Sequence, residues 1–261
     1  MKRFVIGDIH GGYYALIEVL KKSGFNYDQD LLICLGDVCD GWPQVKECIN
    51  ELLQIKNLIY VIGNHDWWTI RWFDSVMKAS SSEYECWSRH GGKATRESYN
   101  NTIDSEHLKM LKNGNYYYEL DNKIFVHGGF DEYTPIDQQN QIDLCWNRDM
   151  IEKAFNKCRY FIKEDSKFKL QIKDPEIKSI CPVYDEIYVG HTPVQRYHSS
   201  LSIPQQWTNV WAMDTGACFD GPLSLMNIDT KEIFQSKDVW ELYPDHPGRN
   251  LYSFNDDKKY R

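Results

Sequence analysis

Three times in the first 66 residues, a short apolar run stops at a glycine and is followed at once by side chains that bind protons or metals. Residues 3–6 lead into Gly7-Asp-Ile-His-Gly-Gly12, residues 31–35 into Gly36-Asp-Val-Cys-Asp40, and residues 58–62 into Gly63-Asn-His-Asp66. Apolar runs of this length read as buried strands, and the glycine lets the backbone turn sharply at the tip. Between the runs the spacing becomes helical. Leu16, Val19 and Leu20 share one face of a helix that Gly24 should stop. After Pro43, which suits a first helical turn, Val45, Cys48, Ile49, Leu52 and Leu53 mark a second apolar face. Strand–helix alternation predicts a parallel α/β sheet with right-handed crossovers, whose ligands gather at the carboxyl ends of the strands. Asp8, His10, Asp37, Asp40, Asn64 and His65 would share that edge.

Residues 67–120 read as mainly helical. Trp68 and Trp72, four apart, can share a helix face, with packing expected ahead of a place in a substrate groove. Thr102 or Asp104 would cap a short helix ending near Asn113-Gly114. Strands are expected at 124–126, before His127-Gly-Gly129, and at 187–189, before Gly190-His-Thr-Pro193. A further run at 210–213 ends in Asp214-Thr-Gly216. Met150, Ile151, Ala154, Phe155 and Cys158 suit one more helix, and 223–228 with 232–235 reads as a hairpin. Residues 163–178, rich in Lys, Asp and Glu, read as a solvated connector rather than a lid. Residues 241–261 read as a polar, peripheral tail. The strand-rich second half predicts a second sheet packed on the first. The expected fold class is α/β, with two packed mixed sheets flanked by helices in one domain spanning 1–261.

A net charge of −8 on 261 residues argues against a general nucleic-acid binder, which needs a basic surface to replace counterions. An anionic substrate stays compatible with that charge, because bound divalent ions reverse the local field. Cys34, Cys39, Cys48, Cys86, Cys145, Cys158, Cys181 and Cys218 are scattered without a C-x-x-C pair. They read as reduced thiols of a cytoplasmic protein. Neither a secretory nor a membrane-spanning segment is visible, so no membrane partner is expected.

Asp8, His10, Asp37, Asn64, His127 and His191 supply oxygen and nitrogen donors from five strand ends. Two first-row divalent ions need about that many protein ligands, with positions left for water and substrate. Asp37, at the end of the most apolar run, is the candidate bridge between them. Cysteine is absent from these loops except at Cys39, which favours Mn, Fe or Zn in a catalytic site over a structural thiolate site.

Taken in order, the motifs around Asp8, Asp37, Asn64, His127 and His191 resemble those of the calcineurin-like metallophosphoesterases. Trp87 with Gly91-Gly-Lys-Ala-Thr95, Trp146-Asn-Arg148 and Asp214-Thr-Gly216 are similar to the prokaryotic and phage branch of serine/threonine protein phosphatases. The resemblance implies an αββα sandwich holding two divalent ions, manganese ahead of iron or zinc. Asp8, His10 and Asp37 would bind the first, and Asp37, Asn64, His127 and His191 the second. A hydroxide shared by the ions would attack phosphorus in line. His65 would protonate the leaving alkoxide, with Asp40 holding its ring. Arg148 and Asn64 would bind the substrate phosphate. One departure stands out: the family places an arginine directly after the residue matched by Asp40, and this chain has Gly41. Arg89, Lys93 and Arg96 are the nearby cations to consider in its place.

The expected activity is metal-dependent hydrolysis of phosphomonoesters by a phosphoprotein phosphatase, acting on phosphorylated protein or small phosphoesters. The alternative is a hydrolase of dinucleoside polyphosphates such as diadenosine tetraphosphate. A third reading, a metal-binding interaction module without catalysis, gives no reason to keep His65 beside Asp40.

Overall fold

In chain order the first elements are β1 (Arg3–Ile6), α1 (Tyr13–Ser23), β2 (Leu31–Cys34), α2 (Val45–Leu52) and β3 (Asn57–Tyr60). The computed structural model describes residues 1–164, 167–172 and 179–249. Four short helices follow: α3 (Asn64–Phe73), α4 (Ser82–Trp87), α5 (Lys93–Ser98) and α6 (Ser105–Lys112). Then come β4 (Tyr117–Leu120), β5 (Lys123–Val126), α7 (Gln141–Trp146) and α8 (Asp149–Cys158). After them stand β6 (Arg159–Glu164), β7 (Lys167–Ile172), β8 (Glu186–Val189), β9 (Gln205–Trp207) and β10 (Val210–Ala212). The described elements end with β11 (Pro222–Asn227), β12 (Ile233–Asp238) and α9 (Val239–Leu242).

The strands form two five-stranded mixed sheets, ordered β12-β11-β1-β2-β3 and β4-β5-β8-β10-β9. Within each, three adjacent strands are parallel: β1, β2 and β3 in the first, and β5, β8 and β10 in the second. Their carboxyl ends meet at one edge of the sandwich. A separate antiparallel pair, β6 with β7, occupies part of the expected connector. The rest of 163–178 lies outside the described residues.

Strand alternation divides the core into three layers. Val5, Ile33, Leu35, Phe125, Tyr188 and Met226 point inward between the sheets. Phe4, Ile6, Leu32 and Cys34 point outward and are covered by Leu16, Val19 and Leu20 of α1 and Val45, Cys48, Ile49 and Leu52 of α2. Ile124, Val126, Ile187 and Val189 pack beneath Met150, Ile151, Ala154 and Phe155 of α8. Both sheets are therefore apolar on both faces, as sheets sandwiched by helices must be. Phe125 stacks on Tyr188 across neighbouring strands, with centroids 4.7 Å apart and planes 11° apart.

Local details differ from expectation. Pro43 precedes the helix rather than opening it, because α2 begins at Val45 after Gln44. Leu53 caps that helix and is 36% exposed, so the apolar face ends at Leu52. The pair Trp68 and Trp72 splits its roles: Trp72 packs on Tyr84 and Trp87, while Trp68 turns to His65 and Trp146. All eight cysteines are free thiols. Among the described residues, no helix is long and apolar enough to cross a membrane.

The polar tail is not peripheral over its described part. Tyr243 is buried and stacks on Trp42 at 5.2 Å and on Tyr14 at 5.1 Å. Its hydroxyl donates to Gln44 Oε1 at 2.7 Å and accepts the Tyr14 N–H at 3.1 Å. Residues 250–261 lie outside the described residues.

Candidate active site

Each parallel strand delivers a polar side chain to the shared edge within a few residues of its end. Asp8 and His10 follow β1, Asp37 and Asp40 follow β2, and Asn64 and His65 follow β3. His127 follows β5, His191 follows β8, and Asp214 follows β10. All nine are at least 93% buried, His191 being the most exposed at 7%. His10, Asp37, Asp40 and His191 have positive φ, between 50° and 70° for all but Asp37 at 49°. Non-glycine residues seldom adopt that conformation, and its clustering here marks backbone held by its surroundings to aim side chains.

Asp66 organises the loops after β2 and β3. Its carboxylate accepts the N–H groups of Asp37 at 2.7 Å, Val38 at 3.0 Å, Cys39 at 3.1 Å and Gly63 at 2.9 Å. Asp37 Oδ1 in turn accepts the His65 N–H at 2.9 Å. Two contacts bind the sheets together at the site. His127 Nδ1–H donates to Leu35 O at 2.7 Å, and the His191 N–H donates to Asp8 Oδ2 at 3.0 Å. Carboxylates pass so close to two glycines that a side chain would displace them. A Cβ at Gly63 would lie 2.1 Å from Asp37 Oδ1, and one at Gly190 would lie 2.3 Å from Asp8 Oδ1.

His10 and His127 are fixed in the same way. Each gives one ring nitrogen to a backbone carbonyl, Cys39 O at 3.0 Å for His10, and turns the other inward. His10 Nε2 lies 3.7 Å from Asp37 Oδ2 and 4.0 Å from Asp8 Oδ2. His127 Nε2 lies 3.2 Å from Asp37 Oδ2 and 3.1 Å from Asn64 Oδ1. His191 Nε2 is buried with no hydrogen-bond partner among the described residues. Two donor groups share Asp37: His10, Asp37 and His65 form one, and Asp37, His127 and His191 the other.

The electrostatics call for added positive charge. Burial and the neighbouring Asp214 push the Asp8 carboxyl well above the ordinary range. Burial raises Asp214 to about 6. Asp37 is also buried, but His127 and the other rings outweigh this and hold it well below the usual value. Burial alone would lower His127, yet the Asp37 charge raises it to about 10. Burial pushes His10 down to about 4, leaving a neutral ring. Three buried carboxylates, inward-facing imidazole nitrogens and an unpartnered His191 Nε2 suit divalent cations.

Beside these donors lies the His65–Asp40 pair, Nδ1 to Oδ2 at 2.6 Å. Asp40 also accepts from Trp87 Nε1 at 2.8 Å and from the Thr95 hydroxyl at 2.5 Å. Burial pushes the Asp40 carboxyl up and the His65 ring down. A cavity of about 320 Å³ opens above, lined by His10, Asp37, Asn64, His65 and His191, with Trp68, Trp146 and Phe219 as aromatic wall. Arg148, Arg196 and Arg249 also line it. The cations considered for the space beside Gly41 do not: Arg89 pairs with Glu85, Lys93 lies 3.5 Å from Glu97, and Arg96 covers the Trp72, Tyr84 and Trp87 rings.

Every residue singled out as a candidate ligand or proton donor thus reaches one region. Sequence reasoning quoted Asp66 and Asp214 within motifs without giving either a role, and passed over Arg196 and Arg249. Asp214 carried a readable signal, since it too follows an apolar run. Asp66 adjoins His65 but announces nothing of its four N–H partners. Arg249 had no local signal at all.

The family model for calcineurin-like phosphoesterases matches residues 1–195. Serine/threonine-protein phosphatase 1 of Salmonella typhimurium is 26% identical, over 86% of this chain and 91% of that protein. A symmetrical bis(5'-nucleosyl)-tetraphosphatase of Neisseria gonorrhoeae is also 26% identical, over 90% of this chain and 95% of the relative. The crystal structure of a metallophosphoesterase from Sphaerobacter thermophilus superposes with a TM-score of 0.54 at 18% identity, covering 97% and 98% of the two chains. That likeness concerns the fold.

Proposed function

The chain belongs to the calcineurin-like phosphoesterase family, and from that premise we propose that it is a phosphomonoesterase acting on phosphorylated serine and threonine side chains. The observation that carries this reading is that His65, its ring held from behind by Asp40, lines the same cavity as the metal donors His10, Asp37, Asn64 and His191. Asp8, His10 and Asp37 would hold one divalent ion, and Asp37, Asn64, His127 and His191 a second, with manganese as the working metal. Such ions supply Lewis acidity toward water and toward phosphoryl oxygens.

The protein's own groups do the rest. Arg148, in the cavity wall, offers a planar fork to phosphate oxygens. Asp40 fixes the His65 ring through Nδ1 and leaves Nε2 directed at the leaving oxygen. Burial keeps that ring neutral in the free protein. A phosphate dianion beside Nε2 favours the imidazolium, so the acid would be charged as the substrate arrives. Trp68, edge-on to His65 at 5.2 Å, helps to exclude water from that proton. A cavity of about 320 Å³ is at the small end for ligand sites and suits a phosphorylated side chain.

A second reading, hydrolysis of dinucleoside polyphosphates, is supported by three arginines and an aromatic wall around one cavity, and by tetraphosphatases among the relatives. Protein stripped with EDTA and reloaded with Mn²⁺ is to be assayed on a phosphoserine peptide, an aryl phosphate and diadenosine tetraphosphate. The first reading expects the peptide and aryl phosphate to turn over faster, and only in reloaded protein. A higher kcat/KM on the tetraphosphate transfers the assignment to the second. Full turnover of stripped protein rejects both.

A further inference from the structure

The cavity contains a cation that comes from far along the chain. Arg249 Nη1 lies 3.3 Å from His65 Nε2, the nitrogen that faces the reacting phosphate in the proposed function, and 3.7 Å from Cys218 Sγ. Its guanidinium covers the Phe219 ring at 5.0 Å, and its backbone N–H donates to Cys218 O at 3.4 Å. We propose that Arg249 is a phosphate-binding residue of this site, supplying the guanidinium for which Gly41 leaves room. The proposal rests on the phosphoesterase reading and adds to it a residue that neither motif nor spacing indicated.

Two glycines make the approach. The Gly41 N–H donates to Gly91 O at 3.3 Å, so the two backbones nearly touch. The Arg249 side chain runs over this contact: a Cβ at Gly41 would lie 3.8 Å from Arg249 Cδ, and one at Gly91 would lie 3.4 Å from Cγ. Side chains at those two positions would narrow the lane by which the arginine enters. Gly41 also has φ 95°, a conformation that opposes any side chain there. The segment carrying Arg249 is held at its other end by the Tyr243–Trp42 stack, and Gly248 lies on the Trp42 ring, where a Cβ would come within 2.6 Å of Cη2.

The position of the guanidinium suits an anion. Its Nη1 lies 3.3 Å from His65 Nε2, at the mouth of the donor cluster. A phosphate whose leaving oxygen sits at Nε2 would place its other oxygens within reach of the same guanidinium. The arginine then gains a charged acceptor. Arg249 thus favours bound phosphate by a charge-assisted bond made inside the cavity.

The test uses the full chain loaded with Mn²⁺, comparing wild type with Arg249→Ala and Arg249→Lys. Inorganic phosphate affinity is measured by calorimetry, KM and kcat on an aryl phosphate, and metal content by elemental analysis. In Arg249→Ala, phosphate affinity should fall about tenfold and KM rise by a similar factor, the loss expected for one charge-assisted hydrogen bond. Metal content should stay unchanged. Lysine should restore part of the loss, and millimolar guanidinium should restore much of it in the alanine variant. Unchanged phosphate affinity in Arg249→Ala with full metal content overturns the proposal. Loss that guanidinium and lysine both fail to relieve also overturns it, by showing a merely structural role. Because calorimetry needs no turnover, an inactive wild type would count against the phosphatase reading and leave Arg249 to be judged on phosphate binding.

Discussion

Asp40 Oδ2 and His65 Nδ1 lie 2.6 Å apart, although they follow different strands and stand 25 residues apart in the chain. Asp40 is held in turn by Trp87 and Thr95, both from the helical segment that covers the site. A histidine fixed on one nitrogen can present only the other to substrate, and this decides how variants of the pair should behave.

His65→Asn removes the proton donor but leaves the ligands of the second donor group intact. Turnover of a phosphoserine peptide should fall roughly 10²–10⁴-fold, the range for a lost general acid. An aryl phosphate, whose leaving group needs less protonation, should lose far less. Equal losses on both substrates would remove the proton-donor role from His65.

Asp40→Asn keeps the shape of the partner and changes its charge. Steady-state kinetics should show kcat lowered roughly ten- to hundredfold, with KM nearly constant, as for other partners that orient an active-site histidine. A change confined to KM would contradict an orienting role.

Gly190→Ala tests the packing of the donors. The added Cβ would meet Asp8 Oδ1 at 2.3 Å, and the carboxylate must move. Metal affinity should fall about 10–100-fold while the far-ultraviolet dichroism stays that of the parent. Competition with a chelator of known affinity measures it, and an unchanged constant would place Asp8 outside the metal set.

Metal binding should depend on pH through His127. Asp37 raises this ring to about 10 against the lowering effect of burial, whereas an unfolded histidine titrates near 6.5. The raised value stabilises the metal-free fold fully below about pH 6.5, and the contribution is lost as pH rises through about 10. A metal must displace this proton, so apparent affinity should rise with pH across the same window. Calorimetry at about pH 8 in buffers of different ionisation enthalpy should count protons released on Mn²⁺ uptake. Uptake without release would mean that the ring is already neutral.

Phe125→Ala opens the layer between the sheets. Phe125 is fully buried and stacks on Tyr188. A loss of about 3–5 kcal/mol is expected for such a truncation, read as a lowered urea midpoint. A cost under about 1 kcal/mol would mean that the sheets can close over the gap.

The two sheets, the strand ends and the ligand candidates were legible because their signals are local. An apolar run of four or five residues, a glycine and a donor are adjacent in sequence, and five repetitions of that pattern at parallel strand ends imply a common edge. Asp66 shows where such reading stops. Its place in Gly63-Asn-His-Asp66 was plain, but three of its four N–H partners depend on how the loop after β2 folds back over α3. Arg89, Lys93 and Arg96 show the same limit from the other side: the sequence put three cations in a segment that could cover the site, and their ion pairs and ring contacts direct them elsewhere.

The sequence by itself determined which chemistry the chain can carry: periodicity set the strands and helices, and residue type at their ends set the donors. Only the tertiary structure decided which cations complete the cavity. Arg249 and His65 are separated by 184 residues, and no periodicity relates them. Their meeting depends on Tyr243 finding the face of Trp42 and on two glycines leaving a lane over the contact of their backbones. Such contacts are formed by packing between distant segments, where shape and burial choose the partner and local pattern has no say.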